Sequence, residues 1–442
     1  MATTMPEWLF ALSLMFGAVF VLLMVGVPVV FSFLAINIVG AFIFLGGDIG
    51  LIQMIRGIRS TAGQYALVPI PLFVLMGEIM LQTGMAQKSI DAIDRLISRL
   101  PGRLSIVAVL GGTVFSSLSG STLANAAVLG RTLFPQMKDR GYSSTIAIGP
   151  ILAVGGIAML IPPSGLGVLL GSLARISIND LLIAAIIPGL MMAVLFLGYI
   201  LIRCRMNPEI APPYEGDVLT LWERVLPVLT HVLPLMLVFV VVVGSMFAGI
   251  ATPTESAALG VLATLVAAVA YRVLSVNAII ASVRETLKFS AMILLIICTS
   301  GTFSQILAFS GATQEMSLFV TSAGVSNTML VVLMLGILII LGGFMDQVSI
   351  MMLTLPIFMP IVATIGVDPV WFGILMLIAL EISLTTPPFG LLLFLMQSVA
   401  DRPIAITTIY RAVLPFLALE FLVLAIVLFL PGTVSWLPEM LR

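Results

Sequence analysis

Apolar stretches such as 8–46, 228–271 and 412–430 reach or exceed the roughly 20 residues that carry an α-helix across a bilayer. A soluble core could not hide them. Of the 442 residues, 61% are hydrophobic and only 9% charged, where a typical soluble domain carries about 25% charge. In lipid the backbone must satisfy itself, which leaves helices or closed barrels. Barrel strands alternate in polarity, and these stretches do not. The sequence therefore specifies an all-α polytopic membrane protein embedded in a lipid bilayer. Residues 8–27 have no basic segment before them, so they are expected to be a retained helix rather than a signal peptide. The net charge is −1 and no basic tract occurs, which argues against nucleic acid as a partner.

Ten crossings are expected: 8–27, 28–46, 66–84, 144–162, 180–203, 228–250, 253–271, 289–309, 368–386 and 404–430. Two further apolar stretches, 104–137 and 327–362, are interrupted by small polar residues. They are expected to be re-entrant hairpins, because irregular backbone at membrane depth survives only inside protein or beside water. This topology puts 15 Lys and Arg residues on one side, Lys88, Arg131, Arg203, Arg284 and Lys288 among them. Only Arg56, Arg59, Arg175 and Arg442 fall on the other. Such a bias identifies the cytoplasmic face and puts both termini outside. Arg56 and Arg59 fit it least well.

The chain resembles itself at an offset of 225. Pro28 aligns with Pro253, Gly111 with Gly336, Pro135 with Pro360 and Gly141 with Gly366. Pro162, Pro163, Gly165 and Leu166 align with Pro387, Pro388, Gly390 and Leu391. Chance would give about half a proline match over such a length; four occur. The expected organisation is a first repeat, 1–203, a linker, 204–227, and a second repeat, 228–442. The first would hold helices 8–84, hairpin 104–137, broken helix 144–173 and helix 180–203. The second would hold hairpin 327–362 and broken helix 368–399. Each repeat has five crossings plus one hairpin, an odd number, so the second copy enters the membrane inverted. Inverted repeats mark many secondary transporters, whose sites lie at the repeat interface near the midplane.

Three constellations stand out. Ser116-Ser117-Leu118-Ser119-Gly120-Ser121-Thr122, with Asn125 just after, forms the tip of the first hairpin. Its hydroxyls and exposed carbonyls suit a hard cation or a substrate; close helix packing is the plainer alternative. Ile161-Pro162-Pro163-Ser164-Gly165 must break its helix, because two prolines remove donors and crowd the preceding turn. The following half-helix presents its N-terminal end, which attracts anions. Thr385-Thr386-Pro387-Pro388-Phe389-Gly390 repeats the break in the second half. The third is Gly342-Gly343-Phe344-Met345-Asp346-Gln347, the tip of the second hairpin, where Asp346 aligns with Ser121. A carboxylate at membrane depth is costly and points to function, here binding sodium or titrating. A solvated loop charge is the alternative.

Glu78, Glu255, Glu381 and Glu420 are the other embedded acids. Thr252-Pro253-Thr254-Glu255 has the form of a helix cap, so capping is expected for Glu255. Glu78 and Glu381 could pair with arginines or face water. Cys204 and Cys298 lack metal or disulfide spacing. No phosphate-binding Gly-x-x-x-x-Gly-Lys loop and no His-Glu-x-x-His occurs. His231 is the single histidine, so a serine nucleophile has little choice of base. An enzyme is disfavoured.

Gly120-Ser121-Thr122-Leu123-Ala124-Asn125, Pro135-Gln136-Met137, Gly141-Tyr142, Ile161-Pro162-Pro163-Ser164, Thr252-Pro253-Thr254-Glu255 and Thr386-Pro387-Pro388-Phe389-Gly390 occur in this order. In these residues the chain resembles the large membrane subunit of tripartite ATP-independent periplasmic (TRAP) transporters over essentially its whole length. The resemblance implies an elevator-type, sodium-driven importer in the bacterial inner membrane. A small four-helix membrane subunit would join its scaffold, here as a separate polypeptide. A periplasmic substrate-binding protein would deliver an organic anion bearing a carboxylate, such as a dicarboxylate. By motif, one sodium site falls on Ser119, Gly120, Ser121 and the Pro162 break. The other falls on Gly342, Gly343, Asp346, Thr385 and Thr386. Substrate would lie between the tips and the breaks, against Ser119, Ser121, Thr122, Asn125, Ser164, Gly165, Thr386 and Gly390. Co-transported sodium is the only cofactor implied. A stand-alone anion/sodium symporter of the same architecture, without a binding protein, is the alternative.

Overall fold

The computed structural model describes residues 6–97, 100–119, 122–212, 220–322, 324–388, 390–400 and 404–441. Its first half holds α1 (Glu7–Met24), α2 (Val29–Phe44), α3 (Asp48–Ala62), α4 (Pro69–Gln82), α5 (Met85–Leu96), α6 (Arg103–Ser119), α7 (Thr122–Asp139), α8 (Ser144–Leu160), α9 (Gly165–Ala174) and α10 (Ile178–Met206). Its second holds α11 (Leu221–Pro227), α12 (Leu233–Phe247), α13 (Pro253–Ala270), α14 (Val276–Phe309), α15 (Ala312–Ser322), α16 (Asn327–Leu341), α17 (Gln347–Thr364), α18 (Pro369–Thr385), α19 (Leu391–Val399), α20 (Ile406–Phe429) and α21 (Gly432–Leu441). A π-helical turn, Val228–Val232, joins α11 to α12. No strand occurs among the described residues.

Many helices start where a side chain can take the first free N–H groups. Ser164, Ser177, Ser275 and Ser326 each accept such a bond. Thr252 and Glu255 form the expected capping box at α13, with Thr252 N–H donating to the Glu255 carboxylate at 2.8 Å. Thr220 and Glu223 form another at α11. Gly141 and Gly366 follow α7 and α17 and both hold positive φ, 79° and 69°, a turn only glycine makes without strain. They are one of the pairs 225 residues apart. The bounds of α7 and α8, moved by the same interval, fall on those of α17 and α18.

The packing is reciprocal between the halves. α8 lies against α6, α7, α10 and α20, while α18 lies against α16, α17, α20 and α10. α4 packs on α13, and α14 on α2. α8 and α18 also touch each other at the centre. Every residue from Ile146 to Leu160 and from Phe372 to Thr385 is buried. Helices apolar on all sides belong in such a position.

Among the described residues, eight helices are long and apolar enough to cross a membrane, or nine when α8 and α9, bent by 45° at their break, count as one span. Ten were expected. Two of the expected crossings are shorter: α2 has 16 residues and α18 has 17. At 1.5 Å per residue these span about 25 Å, less than the hydrocarbon core of about 30 Å. The expected crossing 289–309 begins at Val276 instead, in a helix of 34 residues, because its charged first third is helical too. The linker ends early for a similar reason, since α11 already occupies Leu221–Pro227. In the second hairpin, α17 alone meets the length of a crossing and is 72% buried within the protein. Arg56 and Arg59 lie on the exposed side of α3, which buries Gly50, Met54 and Gly57. They belong to a helix that was not expected there.

Candidate functional site

Both proline pairs interrupt a central helix. Ile161, after α8, and Thr386, after α18, turn to extended backbone, with ψ of 119° and 123°. The Pro162-Pro163 and Pro387-Pro388 bonds are both cis. Ser164 then caps α9, its Oγ accepting from the Gly167 N–H at 3.0 Å. At the second break a Cβ on Gly390 would meet the Leu384 carbonyl oxygen at 2.4 Å and that of Thr386 at 3.0 Å. Glycine is required at 390 because these carbonyls crowd it. Breaking a helix beside proline thus leaves oxygens gathered around one point.

The second hairpin reaches this point through Gly342. A Cβ there would lie 2.1 Å from Ser383 Oγ, so the tip is seated directly on α18, two residues before Thr385. Asp346 caps α17: its carboxylate accepts from the N–H groups of Val348 at 3.0 Å and Ser349 at 3.3 Å, and from the Ser349 hydroxyl. It is half-buried. Capping is a third role, beside those expected, and the pattern Asp-x-x-Ser at a helix start was its signal. Gln347, the next residue, points inward and donates to Glu381 Oε2 at 3.2 Å.

Glu381 joins the two halves of the site. It is fully buried in α18. A Cβ on Gly155 of α8 would sit 2.4 Å from Thr122 Cγ2 and 2.6 Å from Glu381 Oε1. One on Gly156 would meet Glu381 Cγ at 3.0 Å and Glu420 Oε1 at 3.6 Å. The glycine pair therefore makes room for Thr122 of the first hairpin and for two carboxylates. Glu420, on α20, is also fully buried and accepts from Thr385 Oγ1 at 3.3 Å. Among the described residues Glu381 pairs with no arginine, and it does not face water. Sequence reading could not find this pairing, because 39 residues separate the acids and only the fold brings them to one glycine niche.

The other expected residues are placed as follows. Gly120 and Ser121 lie outside the described residues. Ser119 ends α6, and its side chain also lies outside the description. Thr122 donates to the Gly155 carbonyl at 3.4 Å, and Asn125 is fully buried on α7. Thr385 is buried, and Thr386 is half-buried with its hydroxyl donating to Ile382 O at 2.5 Å. Gly343 follows the end of α16, its N–H bonded to Ile340 O at 3.2 Å. Pro163 and Gly165 line a cavity of about 340 Å³ shared with α4 and α14. Glu78, Glu285 and Lys288 face it as well; Glu78 accepts from Gln82 at 3.3 Å, and Lys288 pairs with Glu285 at 2.6 Å. Ser164, Thr386 and Gly390 are not on its wall. His231 stacks on Tyr271, ring centroids 5.7 Å apart. Cys204 and Cys298 are buried and unpaired.

Residues 16–433 match the family described as tripartite ATP-independent periplasmic transporter, DctM component. A C4-dicarboxylate TRAP transporter large permease protein of Pseudomonas aeruginosa is 32% identical over 86% of this chain and 88% of its own length. A sialic acid TRAP transporter large permease protein of Vibrio cholerae is 30% identical over 95% and 96%. Among solved structures, the Alcanivorax borkumensis YdaH transporter superposes with a TM-score of 0.63 at 13% identity, over 89% of this chain and 91% of that one. That likeness is one of fold.

Proposed function

The chain belongs to the tripartite ATP-independent periplasmic transporter family as its DctM component, the large permease, and on that premise we propose that it imports a carboxylate-bearing organic anion by sodium symport. The observation that supports this most is the pair of helix breaks, each beside a hairpin. In the turns of α18 before the second break, Glu381 and Thr385 form a buried polar cluster with Gln347 and Glu420, and Thr122 meets Glu381 at Gly155. Buried polar groups at membrane depth are retained for ion and substrate pathways.

In this reading the halves are inverted repeats. The hairpins and broken helices form a transport domain that slides against the remaining helices. One sodium binds at Ser119, Gly120, Ser121 and the Pro162 break. The other binds among Gly342, Gly343, Asp346, Thr385 and Thr386, where the crowded carbonyls of Leu384 and Thr386 supply the kind of oxygen a hard cation prefers. Substrate lies against Thr122, Asn125, Ser164, Gly165 and Gly390. A periplasmic binding protein delivers it and a small membrane subunit braces the scaffold. The protein sits in the bacterial inner membrane with both termini outside. Coupling requires that substrate bind the sodium-loaded form better than the empty one.

The test needs no substrate. The melting temperature of the purified protein is compared in sodium, potassium and choline at equal ionic strength. A saturable rise specific to sodium is expected, since a ligand of the folded state alone stabilises it. Identical melting in the three cations would sink the sodium mechanism while leaving family membership intact.

A further inference from the structure

A second cavity, about 380 Å³, opens between α3, α9, α14 and α17. Thr61, Gln64, Ser172, Arg175, Ser304 and Gln305 are among its polar lining residues, and among the described residues Arg175 is the one ionisable group on its wall. Arg175 also lines the adjoining cleft with Gln64 and Tyr65. It caps the C-terminal end of α9 in left-handed backbone, φ 56°. A helix C-terminus favours a cation. Its guanidinium forms no ion pair with a described residue, and the side chains of Thr61, Gln64, Ser304 and Gln305 donate no bond to one. A cation with five donors thus stands beside hydroxyls and amides whose donors no described residue takes up.

The first cavity lies at the opposite end of α9, at Gly165 and Leu166. Its ionisable residues are Glu78, Glu285 and Lys288, and Lys288 is already paired with Glu285. The two cavities therefore carry opposite excess charge, one positive and one negative. The charge rule puts Arg175 outside and Lys288 inside.

We propose that the cleft at the C-terminal end of α9 is an anion-receiving site, in which Arg175 takes the carboxylate of the incoming organic acid before it reaches the helix breaks. The negative excess of the opposite cavity then disfavours its retention there, which helps release. A carboxylate suits a planar guanidinium, which can hold both its oxygens. This rests on the transport reading above, so the test uses no sodium gradient and can fail separately from it.

Ser304→Cys is made with Cys204→Ser and Cys298→Ser, and labelled from the outside of right-side-out vesicles. The reagents are an anionic methanethiosulfonate (the ethylsulfonate) and a cationic one (the trimethylammonium). Arg175→Gln is expected to lower the anionic-to-cationic rate ratio by about five-fold. Succinate should slow labelling when Arg175 is present and not when it is glutamine. Leu81→Cys, on the first cavity, is labelled in inside-out vesicles and should prefer the cationic reagent. Thr61→Cys replaces Ser304→Cys if the latter does not fold. A ratio unmoved by Arg175→Gln, or no protection by succinate, overturns the site. Protection by a periplasmic binding protein but not by succinate would assign Arg175 to protein docking and overturn it equally.

Discussion

Asp346 carries two roles that a pair of substitutions can separate. As a cap it holds the N–H groups of Val348 and Ser349 at the start of α17. As an anion it would bind sodium. Asparagine keeps the cap, since its carbonyl oxygen accepts the same two bonds and Asn is as good a cap as Asp. Its NH₂ can donate to the Ser349 hydroxyl, which reverses its own role. Alanine removes both, and loss of a cap costs about 1 kcal/mol. In choline, Asp346→Asn should therefore melt like the wild type, and Asp346→Ala about 2 °C lower. In sodium at one hundred times its dissociation constant, a bound ion adds about 2.7 kcal/mol, or about 5 °C. Both variants should lose most of that increment. The assay is a melting curve at one fixed scan rate, because unfolding of such proteins is commonly irreversible. Retention of the full sodium increment by Asp346→Asn would show that Asp346 is a cap and nothing more. A fall in choline as large as that of alanine would refute the capping argument.

Glu381→Gln should melt at or above the wild-type temperature, since it removes a buried carboxylate whose Oε1 meets the hydrogen-bond criteria with no described residue and keeps an acceptor for Gln347, while Glu381→Ala should lower it by several degrees. Equal losses for both would mean the charge itself holds the core together. Gly155→Ala forces Thr122 or Glu381 to move, since the new Cβ lies 2.4 and 2.6 Å from them, and should cost about 1–3 kcal/mol. Gly198→Ala meets open space in the same kind of helix and should be neutral or slightly stabilising; similar melting of the two would remove the niche argument. Thr252→Ala should destabilise by about 1 kcal/mol through its lost cap, and Thr252→Ser should not.

The helix breaks and the α13 cap were legible because each depends on a local pattern: a proline pair and a Thr-x-x-Glu. The start of α14 was not. Arg284, Glu285 and Lys288 lower its apolarity, and a reading by hydropathy stops where polarity begins although the helix does not. α3 was missed for the related reason that an amphipathic helix lying beside the membrane helices has no long apolar run. The Glu381 and Glu420 niche was illegible in principle. Each acid alone is one buried carboxyl group, and the contact that defines them is with Gly155 and Gly156, on a third helix.

α14 runs past both chambers. Its residues Glu285 to Ile293 wall the cavity at the start of α9, and Ile297 to Ala308 wall the one at its end. The same rod is therefore a ruler laid between entrance and exit. The midpoints of those two stretches are some 14 residues apart, which at 1.5 Å each is about 20 Å. That is shorter than the hydrocarbon core, about 30 Å. On the proposed path, the cargo's journey between the two chambers is shorter than the membrane is thick.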